Sequence, residues 1–155
     1  MDALDVKILR LLQQNARMNV TSLSQELSLS RPSVAERLHR LEERGVIEGY
    51  MARVSPQAVG RDTRLVLQIS DLRIPAQQFE RWAQSEPDIV ECHRVTGNAS
   101  YFLQAAVAGT PGLKELVDRL MDFGSVQTSV VLASPVASRP MLPPNAAELE
   151  QSRQL

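Results

Sequence analysis

Two apolar stripes of helical spacing lie between Asn19 and Gly45, and only Ser28-Leu29-Ser30 separates them. Leu23 and Leu27 share one face of the first, and Val34, Leu38 and Leu41 recur at i, i+4 and i+7 in the second. Two short helices joined by so tight a link must cross sharply, which predicts a helix-turn-helix over residues 20–39. The punctuation agrees. Asn19 or Thr21 can cap the first helix and Ser30 the second. Pro32 falls in a first turn, where its missing N–H is harmless, and Gly45 suits the position past the last turn. A leading helix carries Leu4, Ile8, Leu11 and Leu12 on one stripe, with Asp2 as its cap and Asp5 in its first turn.

With Val34 at the inward centre, a projection at about 100° per residue turns Ser33, Glu36, His39 and Arg40 outward. The same projection sets Arg31 and Arg37 on the flanks. Such side chains near a helix start suit phosphates and base edges in a major groove. Residues 10–40 hold five arginines against two glutamates, while the whole chain has a net charge of −1. The positive charge is therefore local, which argues against a protein that coats nucleic acid indiscriminately.

The second half changes period. Residues 56–62 form a polar connector, and Leu65, Leu67 and Ile69 then alternate in a strand. Pro75 opens a helix with Phe79, Trp82 and Ala83 on one face, and Pro87 stops it. Strands are expected at 89–95 and 101–107, on either side of Thr96-Gly97-Asn98-Ala99-Ser100, whose Gly-Asn pair signals a hairpin. Leu113, Leu116, Val117 and Leu120 mark another helix, and Val126, Thr128, Val130 and Leu132 a final strand. The order βαββαβ is the ferredoxin-like split unit. The expected class is α+β: a three-helix helix-turn-helix domain over 1–60, a ferredoxin-like domain over 61–135, and a tail over 136–155. Pro140, Pro143 and Pro144 break any pattern there, so 137–155 is expected to be mobile.

There is little material for catalysis. The chain has one cysteine and two histidines, with no metal-ligand spacing and no phosphate loop, so no metal or cofactor is expected. Cys92 and His93 are adjacent in a strand and point to opposite faces. Cys92, Phe79, Trp82 and Met121 are expected to pack. No apolar run approaches the ~20 residues of a membrane span, and the first residues are acidic rather than basic, so a cytoplasmic protein is expected. The 96–100 loop combines small residues with backbone N–H groups that can hold an amino acid's charged ends; a plain hairpin uses the same residues.

Asp2, Asp5, Ile8-Leu9, Arg17, Leu23, Leu27, Leu29-Ser30, Glu36-Arg37, Leu41-Glu42, Gly45, Ile47 and Gly49-Tyr50 resemble, without a gap, the head of the Lrp/AsnC (feast/famine) regulators. Glu91 to Gly97 and Tyr101-Phe102-Leu103 are similar to two strands of that family's effector domain. The departures are Met1, Arg31-Pro32-Ser33, Met121-Asp122-Phe123, and Ser100 where the family usually carries an aspartate. The resemblance implies a transcriptional regulator that is not an enzyme. Its DNA-binding residues would be Arg31, Ser33, Glu36, Arg37, His39 and Arg40. Its effector, an amino acid or related metabolite, would sit at Thr96, Gly97, Asn98, Ala99 and Ser100, near Gln127 and Thr128. Double-stranded DNA and further copies of the chain, as a dimer and larger assemblies such as an octamer, are the implied partners. Two alternatives are a sirohaem-decarboxylase-like enzyme, for which only His39 and His93 could serve, and an amino-acid sensor without DNA binding.

Overall fold

The computed structural model describes residues 1–151. The chain forms two compact units, one of Met1–Arg53 together with the segment from Val136 onward, and one of Val54–Pro135.

In the first unit, α1 (Ala3–Gln14), α2 (Val20–Leu27) and α3 (Arg31–Glu43) follow their local signals. Asp2 and Asp5 form a reciprocal capping box at α1, Asn19 caps α2 through the Ser22 amide, and Ser30 caps α3 through the Ser33 amide. Ser28 turns the chain between α2 and α3 with a left-handed φ of 53°. Leu4, Ile8, Leu9, Leu12, Leu23, Leu27, Val34 and Leu41 close the core of the three helices. Fully burying one such side chain stabilises the fold by about 1.5–3 kcal/mol, so this cluster holds α3 in place against its neighbours.

The expected mobility of the tail does not hold over its described part. Leu142 packs against this same cluster, Ala146 is buried, and a short helix, α6 (Ala146–Gln151), lies on α1. Gln13 clamps the approach from both sides: its Nε2 donates to the Met141 carbonyl at 2.9 Å and its Oε1 accepts from the Met141 amide at 2.7 Å. The prolines prevent regular structure only up to Pro144, and a few apolar residues suffice because α1 already offers a surface. Residues 152–155 of the expected tail lie outside the described residues.

In the second unit, β1 (Thr63–Ser70), α4 (Ala76–Ser85), β2 (Ile89–Arg94), β3 (Tyr101–Val107), α5 (Gly109–Met121) and β4 (Ser125–Val130) give the βαββαβ order. The sheet order is β2-β3-β1-β4 with antiparallel pairing throughout. Leu65, Leu67, Ile69, Tyr101 and Leu103 point to one face and pack with Phe79, Ala83, Leu116 and Leu120 of the two helices. The other face carries Val66, Gln68, Phe102 and Gln104, and Val66 and Phe102 remain 36% exposed. Gly124 leads into β4 where a Cβ would stand 2.5 Å from the Ser70 carbonyl oxygen, so only glycine fits there.

Two expectations of packing fail in this unit. Cys92 is exposed, because β2 is an edge strand. Met121 is 55% exposed, because Leu116 and Leu120 already fill the buried stripe of α5.

Candidate functional site

The outward face of α3 follows from its core stripe. Val34 and Leu41 are buried, and Arg31, Ser33, Glu36, His39 and Arg40 are exposed on the remaining surface. Among the described residues no ion pair or hydrogen bond engages the Arg31 or Arg40 guanidinium, so both are available to an outside anion. The Ser33 hydroxyl lies 2.8 Å from that of Ser30, which draws it into the helix cap. His39 faces Glu43 at 3.2 Å on the same exposed side.

Arg37 departs from its assignment. Its side chain is only 19% exposed, and Nη1 donates to Asp2 Oδ2 and Asp5 Oδ1, each at 2.7 Å. The flank on which the projection sets it faces the start of α1, whose two capping carboxylates capture the guanidinium. It therefore belongs to the scaffold of the face and not to its outer surface.

The 96–100 loop lies at the end of the sheet where β4 begins. The Ser100 amide donates to the Ile69 carbonyl at 2.7 Å, the Val95 amide donates to the Ser100 carbonyl at 3.1 Å, and Ile69 is paired with Val126. Ser100 is thus stitched into the sheet through its backbone, while Thr96, Gly97 and Asn98 are exposed. Gly97 has φ +110°, a conformation that side chains strain to adopt, although a Cβ there would meet nothing within 4 Å. Of the two expected contributors from β4, Gln127 pairs with Gln68 on the face away from the helices, and Thr128 pairs with Leu67 on the helix side. The two cannot serve one pocket on one face, because the strand alternates between them. Only Gln127 shares the open face with the neighbouring Phe102 and Gln68.

Among the described residues no group of three His, Cys, Asp or Glu could hold a metal ion. No helix among them is long and apolar enough to cross a membrane.

Comparison with known proteins matches both units. Residues 1–42 fit the AsnC-type helix-turn-helix domain, and residues 69–141 fit the Lrp/AsnC ligand binding domain. The uncharacterized HTH-type transcriptional regulator YezC of Bacillus subtilis is 34% identical over 134 residues, which span 86% of this chain and 95% of that protein. The leucine-responsive regulatory protein of Haemophilus influenzae is 33% identical over 139 residues, 85% of this chain and 84% of its own length. A transcriptional regulator of Neisseria meningitidis, solved in complex with L-Met, superposes with a TM-score of 0.84 at 27% identity, over 96% of this chain and 99% of that one.

Proposed function

Because the chain belongs to the Lrp/AsnC family of transcriptional regulators, we propose that it reads double-stranded DNA with the exposed face of α3 and responds to a small amino acid held beside the 96–100 loop. The observation that carries the DNA half is the pair of unengaged guanidinia, Arg31 and Arg40, on a helix whose opposite stripe is locked into the core. Phosphates would meet these cations and the positive end of the α3 dipole, while Glu36 and His39 face the base edges. The protein works in the cytoplasm on this reading, by binding and without a chemical step.

A second copy would supply the symmetry. The sheet face with Val66 and Phe102 carries apolar surface, and both side chains remain 36% exposed among the described residues. Packing two such faces would give a two-fold dimer with one copy of α3 for each half-site, and larger assemblies would use other surfaces. An effector between copies would act by preferring one arrangement over the other. The loop supports this by offering small residues and exposed backbone next to Gln127.

The test is DNA binding to the protein's own upstream region at several salt concentrations, with and without each amino acid. Arg40→Ala should weaken binding across sequences and reduce the salt slope by about one unit. Unchanged affinity and slope in both Arg31→Ala and Arg40→Ala would put the recognition face elsewhere.

A further inference from the structure

The helix side of the sheet is not covered out to its edge. Between α4 and β2 lies a groove of about 450 Å³, a volume within the range of small-molecule sites. Its polar wall is made by Glu80 of α4 and Arg94 of β2, and its apolar wall by Ala83, Ile89 and Val90. The pairing of β2 with β3 shifts register between Ile89 and Glu91, which leaves Val90 without a partner on β3 and 64% exposed. Bulges of this kind re-aim side chains at sheet edges.

Glu80 and Arg94 form a loose ion pair in the groove. Glu80 Oε1 accepts the buried Tyr101 hydroxyl at 2.7 Å, and Arg94 Nη1 stands 3.7 Å from that same oxygen, beyond hydrogen-bond reach. The Arg94 side chain is 70% exposed. An anion entering here meets Glu80, and a cation meets Arg94. A molecule that carries both signs a few atoms apart, with an apolar end, meets neither penalty. Of the other lining residues, Glu91 has its carboxylate engaged by the Gln104 side-chain amide at 2.7 Å and by His93 at 3.2 Å, while Cys92 and Tyr101 add no charge: burial and the Glu80 carboxylate push the Cys92 thiol up, and burial and Glu80 push the Tyr101 hydroxyl up to about 12.

We propose that this groove seats the backbone end of a free apolar α-amino acid, with its carboxylate on Arg94, its ammonium on Glu80 and its side chain against Ala83, Ile89 and Val90. A guanidinium takes a carboxylate with two parallel bonds, for which Arg94 has donors to spare. The site is distinct from the 96–100 loop and does not depend on the loop being a ligand site.

Cys92 lines the groove and is the only cysteine in the chain, so its alkylation reports on occupancy directly. Iodoacetamide is added to the intact protein with and without L-leucine, L-methionine or L-phenylalanine, and each variant is referred to its own rate without ligand. At millimolar concentration at least one free amino acid should slow alkylation about threefold, the protection given by a ligand at twice its Kd. N-acetyl-L-leucine and L-leucinamide should not protect. Arg94→Gln and Glu80→Gln should abolish protection, and Asn98→Ala should keep it. Protection by no free amino acid, or equal protection by the blocked forms, overturns the proposal. Protection lost in Asn98→Ala but kept in Arg94→Gln also overturns it, and moves the ligand to the loop. A thiol that does not react even without ligand overturns it as well, since the groove is then covered by a second copy.

Discussion

Asp5 and Arg37 join the start of α1 to the middle of α3. One oxygen of Asp5 accepts the Asp2 amide at 3.0 Å and completes a helix cap, while the other accepts Arg37 Nη1 at 2.7 Å. Asp2 repeats the arrangement, with one oxygen on the Asp5 amide and the other on the same guanidinium nitrogen. The cap of one helix is thus the anchor of the other.

Arg37→Ala should therefore lower the stability of the first unit by about 2 kcal/mol, as expected when a hydrogen bond to a charged group is lost at a site largely closed to water. Asp5→Ala should do the same, and the double variant should cost less than the sum of the two. Hydrogen exchange at α1 and α3 amides measures this. The salt slope of DNA binding should not change in Arg37→Ala, in contrast to Arg40→Ala.

The same anchor sets a pH dependence. Burial pushes the Asp2 carboxyl up, but the Asp5 amide and the Arg37 guanidinium outweigh it and hold it below the ordinary value of 3.8. A depressed folded pKa contributes stability that is present above 3.8 and lost as the pH falls through the lower folded value. Unfolding midpoints of the first unit followed down the acid range should show that loss, and Asp2→Asn should remove this part of the pH dependence.

The two tyrosines provide an optical check. Burial and the Glu42 carboxylate, which accepts the hydroxyl at 2.8 Å, push Tyr50 up to about 12. Tyr101 reaches about 12 through burial and Glu80. The chain contains no other tyrosine, so tyrosinate absorbance should stay low at pH 10, where an unperturbed phenol is half ionised. A urea-unfolded sample should titrate at the ordinary value. Because both pKa values are raised, the stability they contribute is present below pH 10 and lost as the pH rises through about 12.

Residues 136–151 should act as part of the DNA-binding unit. Leu142→Ala should destabilise that unit by about 1–2 kcal/mol, less than the full burial cost because the side chain is half-buried. Gln13→Ala should release the Met141 backbone and speed hydrogen exchange there. Both variants should leave exchange in the β-sheet unchanged.

What is legible in the sequence is what is decided within a few residues. The caps at Asp2, Asn19 and Ser30 act on amides three positions away, so the starts of the three helices can be read directly. The alternation of Leu65, Leu67 and Ile69 identifies both faces of β1 without any partner being known. Arg37 marks the limit: its angle on the helix follows from period, but its partners lie 35 and 32 positions away. The docking of the tail depends on a contact across 128 residues. Cys92 is placed on the correct side of its strand by alternation, yet its exposure depends on how far the covering helices reach across the edge of the sheet. The nearness of Glu80 and Arg94 has the same origin, and no motif announces it.

The two segments of the first unit have all of Val54–Pro135 between them in the chain. A ribosome therefore releases the entire ligand-binding unit before the strip that completes the helical unit has been made. Nascent α1 waits with its Leu142 site open while the sheet folds. Of the two units, the one that holds DNA is finished later, and a chain cut short between Pro135 and Leu142 would carry a complete sheet and an incomplete reader.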